Sequence, residues 1–191
     1  MKILLTTLNS KFIHTNLAIR YIKESIKDLI DVEIREYTIN NQLDYILKDI
    51  YSARYDAVFF STYIWNVYDI VKLCENLKKV NPKLIIGLGG PEVSYDSEEA
   101  MAKYEFVDYI LRGEGEMVMR DLVKSFKGEM DIKDVDGITY RCNGEIIKNK
   151  DRELLKDLDL IPSPYENLDV KEYENRIVYY ETSRGCPFNC Q

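Results

Sequence analysis

Ala57-Val58-Phe59-Phe60-Ser61 and Leu84-Ile85-Ile86-Gly87-Leu88 stand on either side of a helical repeat, Val67, Ile70, Val71, Cys74, Leu77 and Val80, which Asn81-Pro82 closes. Runs this short and this apolar suit strands covered on both faces, as in a parallel sheet. The residues between them carry one apolar stripe at helical spacing. This is a strand–helix–strand unit, and its crossover is right-handed. Working outward, Lys2 to Leu8 is another covered strand. Ala18, Tyr21, Ile22, Ser25, Ile26 and Leu29 mark a helix, and Val32-Glu33-Ile34-Arg35-Glu36-Tyr37 alternates like a strand with one wet face. Leu43, Ile46, Leu47 and Ile50 mark the next helix. A weaker helical pattern runs from Glu98 to Tyr104, then a strand at Tyr109-Ile110-Leu111-Arg112 and a helix from Met117 to Phe126 that Gly128 ends. The alternation predicts an α/β fold with a doubly wound, five-stranded parallel sheet.

Past Gly128 the pattern changes. Gly137-Ile138-Thr139-Tyr140-Arg141 and Glu145-Ile146-Ile147-Lys148 flank Cys142-Asn143-Gly144, and Asn-Gly between alternating runs signals a hairpin. Asp159-Leu160-Ile161-Pro162-Ser163-Pro164 is a proline-bearing linker, and Arg176 to Thr182 is strand-like. The chain therefore divides into a domain at 1–128, a hairpin and linker at 129–175, and the opening of a further domain at 176–191. A net charge of −7 argues against a nucleic-acid partner, which needs a concentrated basic face. No run approaches a membrane helix, and Met1 to Thr7 turns polar too soon for a secretory signal, so a cytoplasmic protein is expected. Four cysteines among 191 residues make no disulfide framework. Cys74 and Cys142 read as small buried or half-buried residues.

Ligands of such sheets bind beyond the carboxyl ends of the strands. Four loops lie there. Thr7 to Asn16 holds the chain's one histidine, His14, which could donate a hydrogen bond or serve as an acid, base or ligand, or be structural; Thr15 or Asn16 would cap the next helix. Ser61-Thr62-Tyr63-Ile64-Trp65-Asn66 offers hydroxyls and a large ring, suited equally to a heteroaromatic ligand or to a capped turn. Gly87-Leu88-Gly89-Gly90-Pro91-Glu92 either lets backbone approach a ligand or forms a plain tight turn. It is no dinucleotide fingerprint, because Glu92 replaces the last small residue and the motif follows the fourth strand. Gly113-Glu114-Gly115-Glu116 opens a helix, where Glu116 favours the first turn and the glycines could admit a bulky group. No phosphate loop and no nucleophile elbow is present.

The chain closes on Thr182-Ser183-Arg184-Gly185-Cys186-Pro187-Phe188-Asn189-Cys190-Gln191. This resembles the opening of the radical S-adenosylmethionine (SAM) motif Cys-x-x-x-Cys-x-x-Cys, whose third cysteine would fall three residues after Cys190. The expectation is the front part of a larger enzyme, cut where its catalytic domain begins, and itself inert because Cys186 and Cys190 lack their third partner. The tail, the Gly-Gly-Pro-Glu turn at 89–92, the Arg-Gly-Glu-Gly-Glu segment at 112–116, the hairpin and the linker come in the order found in B12-binding-domain radical SAM proteins, and Asn9 to Tyr21 is similar to one subgroup of them. That resemblance implies a Rossmann-like (flavodoxin-like) domain holding cobalamin, with the corrin over the strand ends and the nucleotide tail inserted into the sheet. It also implies a C-terminal radical SAM barrel whose three cysteines bind a [4Fe-4S] cluster, with SAM on the open iron. Many members cleave SAM to a 5′-deoxyadenosyl radical, and cobalamin can carry a methyl group to an unactivated carbon, so the whole protein would be a methyltransferase or related radical enzyme.

Carried onto this sequence, the corrin would rest on Asn9, Ser10, His14, Thr15 and Asn16, on Tyr63 and Trp65, on Pro91 and Glu92, and on Gly113, Glu114, Gly115 and Glu116. Ser61 and Thr62 would hydrogen-bond the nucleotide tail, and Gly89 and Gly90 would let it pass. The Asp-x-His-x-x-Gly signature of base-off, His-on proteins is absent: Phe12 and Asn16 flank His14, and Leu17 stands where the glycine would be. The implied role of His14 is a polar contact to corrin amides or phosphate rather than a bond to cobalt. A cobalamin-free reading stands beside this one. Thr6-Thr7-Leu8-Asn9-Ser10 faintly resembles a flavodoxin phosphate loop, and the domain could also be a docking module.

Overall fold

The computed structural model describes residues 1–166 and 170–185. The strands are β1 (Lys2–Asn9), β2 (Asp31–Thr38), β3 (Ala57–Ser61), β4 (Ile85–Gly89), β5 (Tyr109–Leu111), β6 (Ile138–Cys142) and β7 (Glu145–Lys148). The α-helices are α1 (Leu17–Ile26), α2 (Leu43–Ser52), α3 (Val67–Val80), α4 (Pro91–Ser94), α5 (Ser97–Lys103) and α6 (Gly115–Phe126). All seven strands form one sheet in the order β2-β1-β3-β4-β5-β6-β7. β1 to β5 are parallel, and β6 and β7 join antiparallel.

The strands alternate their side chains between two cores. Ile3, Leu5, Ala57 and Phe59 face α1 and α6, packing on Ile19, Ile26, Val118 and Leu122. Leu4, Leu8, Val58, Phe60, Ile86 and Leu88 face α2, α3, α4 and α5, packing on Ile46, Ile70, Leu73, Val93 and Met101. β1 sits at the point where the winding reverses, since β2 lies on one side of it and β3 on the other. In a doubly wound sheet this opens a crevice at the strand ends. Phe59 pairs with Gly87 on β4, and its ring crosses the place where a side chain would stand: a Cβ on Gly87 would lie 2.2 Å from the ring.

Four features differ from the sequence reading. The hairpin does not stand apart: β6 pairs with the β5 edge, whose backbone groups would otherwise lack partners, from Tyr109 with Tyr140 to Leu111 with Ile138. The helix expected at Glu98 to Tyr104 starts earlier, at Ser97, and a separate turn of helix precedes it at Pro91–Ser94. The strand expected at Arg176 to Thr182 makes a single bridge, between Ile177 and His14, since a strand needs a partner along its length. Cys142, expected to be buried or half-buried, is exposed, because it ends β6 at the hairpin turn, beyond the residues that the cores cover; Cys74 is buried as expected. Among the described residues, no helix is long and apolar enough to cross a membrane.

Phe60 is 2% exposed at the centre of the second core. Phe60→Ala should lower unfolding free energy by about 3–5 kcal/mol, read from the denaturant midpoint; a loss under about 1 kcal/mol would mean that this face is not tightly packed.

Candidate functional site

The ends of β1 and β3 are fastened by buried polar groups. The Thr7 hydroxyl donates to the Ser61 carbonyl at 3.0 Å. The Asn66 amide donates to the carbonyls of Leu8 (3.0 Å) and Ser61 (3.3 Å), while its oxygen accepts from the Tyr63 N–H at 2.7 Å. Buried amides persist only when so satisfied. Asn16 is the N-cap of α1, its oxygen accepting from the Ile19 N–H at 3.1 Å, and its amide reaches the Ser61 hydroxyl at 3.3 Å. The Asn9 amide donates to the His14 carbonyl at 2.9 Å and to Glu36 at 3.2 Å. Glu36 also accepts from the Asn16 N–H at 2.5 Å and pairs with Arg20 at 2.7 Å. The loop from Asn9 to Asn16 is thus held from below by one carboxylate.

At the neighbouring strand ends, Thr62 closes on β4. Its N–H and its hydroxyl both donate to the Gly89 carbonyl, at 2.7 and 2.6 Å. Gly90 follows with φ +103°, and a Cβ there would lie 2.3 Å from the Thr62 carbonyl oxygen. No residue with a side chain fits this turn.

Between the sheet, α1 and α6 runs a crevice of about 120 Å³. Leu5, Ile19, Ile22, Phe59 and Leu111 supply apolar walls, Ser61 a hydroxyl, and Gly89, Gly113 and Gly115 line it without side chains. Ala18 and Tyr63 belong to this crevice and also to two cavities at the rim. One, about 340 Å³, is lined by Asn9, Ser10, His14, Thr15, Asn16, Trp65 and Tyr179. The other, about 370 Å³, is lined by Tyr21, Gly113, Glu114, Gly115, Glu116, Glu181 and Arg184. Tyr63 and Trp65 stack with centroids 4.6 Å apart and planes 3° apart, and Trp65 is 49% exposed. A flat apolar surface therefore faces solvent at the mouth.

The residues expected from sequence divide by place. The first loop, Ser61, Tyr63, Trp65, Gly89 and the segment 113–116 converge on the crevice and its rim. Thr62 is fully buried, with its hydroxyl spent on Gly89. Pro91 lines a separate cavity of about 440 Å³ beyond Gly90, with Arg112, Lys148 and Arg152, and Glu92 is exposed on α4. His14 is half-buried, and its Nδ1 is 2.5 Å from the Tyr179 hydroxyl. Cys186 and Cys190 lie outside the described residues. Among the described residues, no group of three or more His, Cys, Asp or Glu could hold a metal ion.

Sequence reasoning missed Asn66, Glu36, Tyr21, Tyr179 and Arg184. Arg184 meets Glu116 and Glu181 at 2.8 Å and Glu114 at 3.5 Å. The hydrogen bonds that Arg184 donates to Glu181, and then to Glu116, outweigh burial and raise its already high pKa. Burial, aided by Glu181, raises the Tyr21 hydroxyl. Burial lowers Arg112, whose guanidinium reaches Asp151 and the Ile138 carbonyl.

Cobalamin suits this site on its shape and donors. The narrow apolar crevice, with Ser61 as its hydroxyl and glycines along its length, matches a flat heteroaromatic base on a chain. The wide rim, with the stacked Tyr63 and Trp65 and the half-buried His14, offers a broad seat to a macrocycle. The side chains of Asn9, Thr15 and Asn16 are buried and bonded to the His14 carbonyl, the Ile177 carbonyl and Ser61, so they shape the rim without offering it free donors. The cobalamin-free reading fares less well. The Thr6 and Thr7 hydroxyls donate to the carbonyls of Arg35 and Ser61 and are fully buried, so they present nothing to a phosphate.

A family model described as B12 binding domain matches residues 3–123. An uncharacterised methyltransferase of Pyrococcus horikoshii is 29% identical over 179 residues, which is 91% of this chain and 39% of that protein. The cobalamin-dependent radical SAM methyltransferase TokK of Streptomyces tokunonensis is 28% identical over 144 residues, 71% of this chain and 21% of that protein. The chain thus spans well under half the length of these relatives. Among solved structures, the cobalamin-dependent SAM radical enzyme OxsB with aqua-cobalamin and SAM bound superposes with a TM-score of 0.66 at 21% identity, covering 79% of this chain and 22% of that one. That likeness concerns the fold.

Gly90→Ala should cost more than about 2 kcal/mol, since it combines a glycine-only backbone with a contact against Thr62. Gly113→Ala meets nothing within 4 Å and carries only its positive φ, so it should cost about 1 kcal/mol. Urea titration of both variants checks the order; equal costs would contradict the Thr62 contact.

Proposed function

The chain belongs to the B12-binding domain family, and from that premise we propose that it holds cobalamin for a radical SAM enzyme, a methyltransferase or a related radical catalyst. The observation that carries the reading is the glycine-lined crevice at the strand ends, opening onto a rim broad enough for a macrocycle. In it, Ser61 donates to the nucleotide tail while Asn16 holds the serine in place. Ile19, Ile22, Phe59 and Leu111 exclude water around the base. His14, steadied by Tyr179, presents a polar group to the amide fringe, Asn9, Thr15 and Asn16 hold the loop beneath it, and Trp65 on Tyr63 gives the ring an apolar seat. Cobalamin, when bound, supplies a cobalt centre able to carry a methyl group.

In the same reading residues 1–128 form the cobalamin domain, 129–175 the hairpin and linker, and 176–191 the entry to a radical SAM barrel. Cys186 and Cys190, with a third cysteine further on, would ligate a [4Fe-4S] cluster that binds SAM. Cytoplasmic residence accords with thiols kept reduced for a cluster.

Hydroxocobalamin and FMN, each mixed with the purified chain under nitrogen and desalted, separate the readings. Retention of the corrinoid spectrum with loss of FMN is the expected result; retention of FMN alone, or of neither, would overturn it. His14→Ala should weaken corrinoid binding about three- to tenfold, the share of one hydrogen bond, and an unchanged affinity and spectrum would remove His14 from the site.

A further inference from the structure

The described segment 176–184 crosses the cleft, and both of its arginines end on carboxylates whose side chains are almost inaccessible. Arg176 reaches Glu36 at 3.4 Å and lies over the Phe12 ring at 4.4 Å. Arg184 reaches Glu116 at 2.8 Å. The side chains of Glu36 and Glu116 are 5% and 6% exposed. Glu36 stands under the first loop, and Glu116 stands in the first turn of α6, so the two anchors lie on opposite sides of the crevice. Between them the Ile177 N–H donates to the Ile13 carbonyl at 2.7 Å, and the Thr15 hydroxyl donates to the Ile177 carbonyl at 2.9 Å. Tyr179 meets His14, and Tyr179, Glu181 and Arg184 line the two rim cavities.

A guanidinium shared among carboxylates has directional, charge-assisted bonds that fix its position, not only its charge. Glu114 is tied in as well, its second oxygen accepting from the Leu155 N–H at 2.8 Å. The charged residues of the 112–116 segment thus hold later parts of the chain, while its glycines line the crevice.

We propose that residues 176–184 are a strap pinned by Glu36 and Glu116, and that Arg184 is a positioning residue which holds the chain entering Cys186 at the mouth of the crevice. The proposal rests on the cobalamin reading for its purpose: the strap sets where the cluster-bearing segment begins relative to the corrin. The pinning itself is a property of this chain alone.

Amide hydrogen exchange on the corrinoid-free chain tests the pin. Arg184→Ala and Glu116→Gln should each speed exchange at Ile177, the strap amide that donates to the Ile13 carbonyl, by about tenfold or more, with β1, β3 and β4 unchanged as the internal control. The double variant Glu116→Arg with Arg184→Glu should restore slow exchange. With cob(II)alamin bound, paramagnetic broadening of the 178–185 amides should be present in the parent chain, weakened in Arg184→Ala and recovered in the double variant. Exchange unchanged in the single variants, no recovery in the double variant, or broadening that ignores Arg184 would each overturn the proposal. A parent chain that retains no cobalamin would instead sink the reading on which its purpose rests, and the exchange result would stand apart from that failure.

Discussion

Thr62 and Gly90 touch with no room for a side chain between them, and the site is arranged around that contact. Two donors of Thr62 converge on the Gly89 carbonyl, which ties the end of β3 to the end of β4. Gly90 then turns away with a backbone that other residues resist. The turn separates the 120 Å³ crevice on the α1 and α6 side from the larger cavity near Arg112 and Lys148. The crevice is left open as a consequence of this packing, with Phe59 across Gly87 below it and glycines along its upper part.

Much of the architecture was legible because covered parallel strands are apolar without interruption. Ala57 to Phe60 and Ile85 to Leu88 admit little else. The attachment of the hairpin was not legible: Asn143-Gly144 fixes the turn locally, but nothing near it says that Tyr140 will pair with Tyr109. The loops were legible as a set, because the doubly wound topology places them together whatever their composition. The roles of single residues were less so. Thr62 reads as a ligand-facing hydroxyl until β4 is beside it.

Glu36 shows the limit most plainly. The alternation of β2 puts it on the same face as Val32 and Ile34, which pack toward α1, so the sequence marks a carboxylate on an apolar face without saying what it meets. Its partners Asn9, Asn16 and Arg20 arrive from sequence positions up to 27 residues away, and Arg176 from 140. No local pattern reports such a meeting. The same holds for Glu116, favourable in a first helical turn on its own account and also the seat of Arg184. Buried carboxylates of this kind are costly unless every oxygen is used, so their surroundings are well defined.

The central claim is that the crevice receives the nucleotide tail, while the rim alone receives the ring. Cobinamide is the corrin without that tail, so its affinity for the chain, set against that of hydroxocobalamin under the same conditions, isolates the crevice. The account predicts that hydroxocobalamin binds at least about tenfold more tightly, a difference of about 1.4 kcal/mol. Equal affinities would contradict it, because the tail would then contribute nothing and the opening between α1 and α6 would have no occupant.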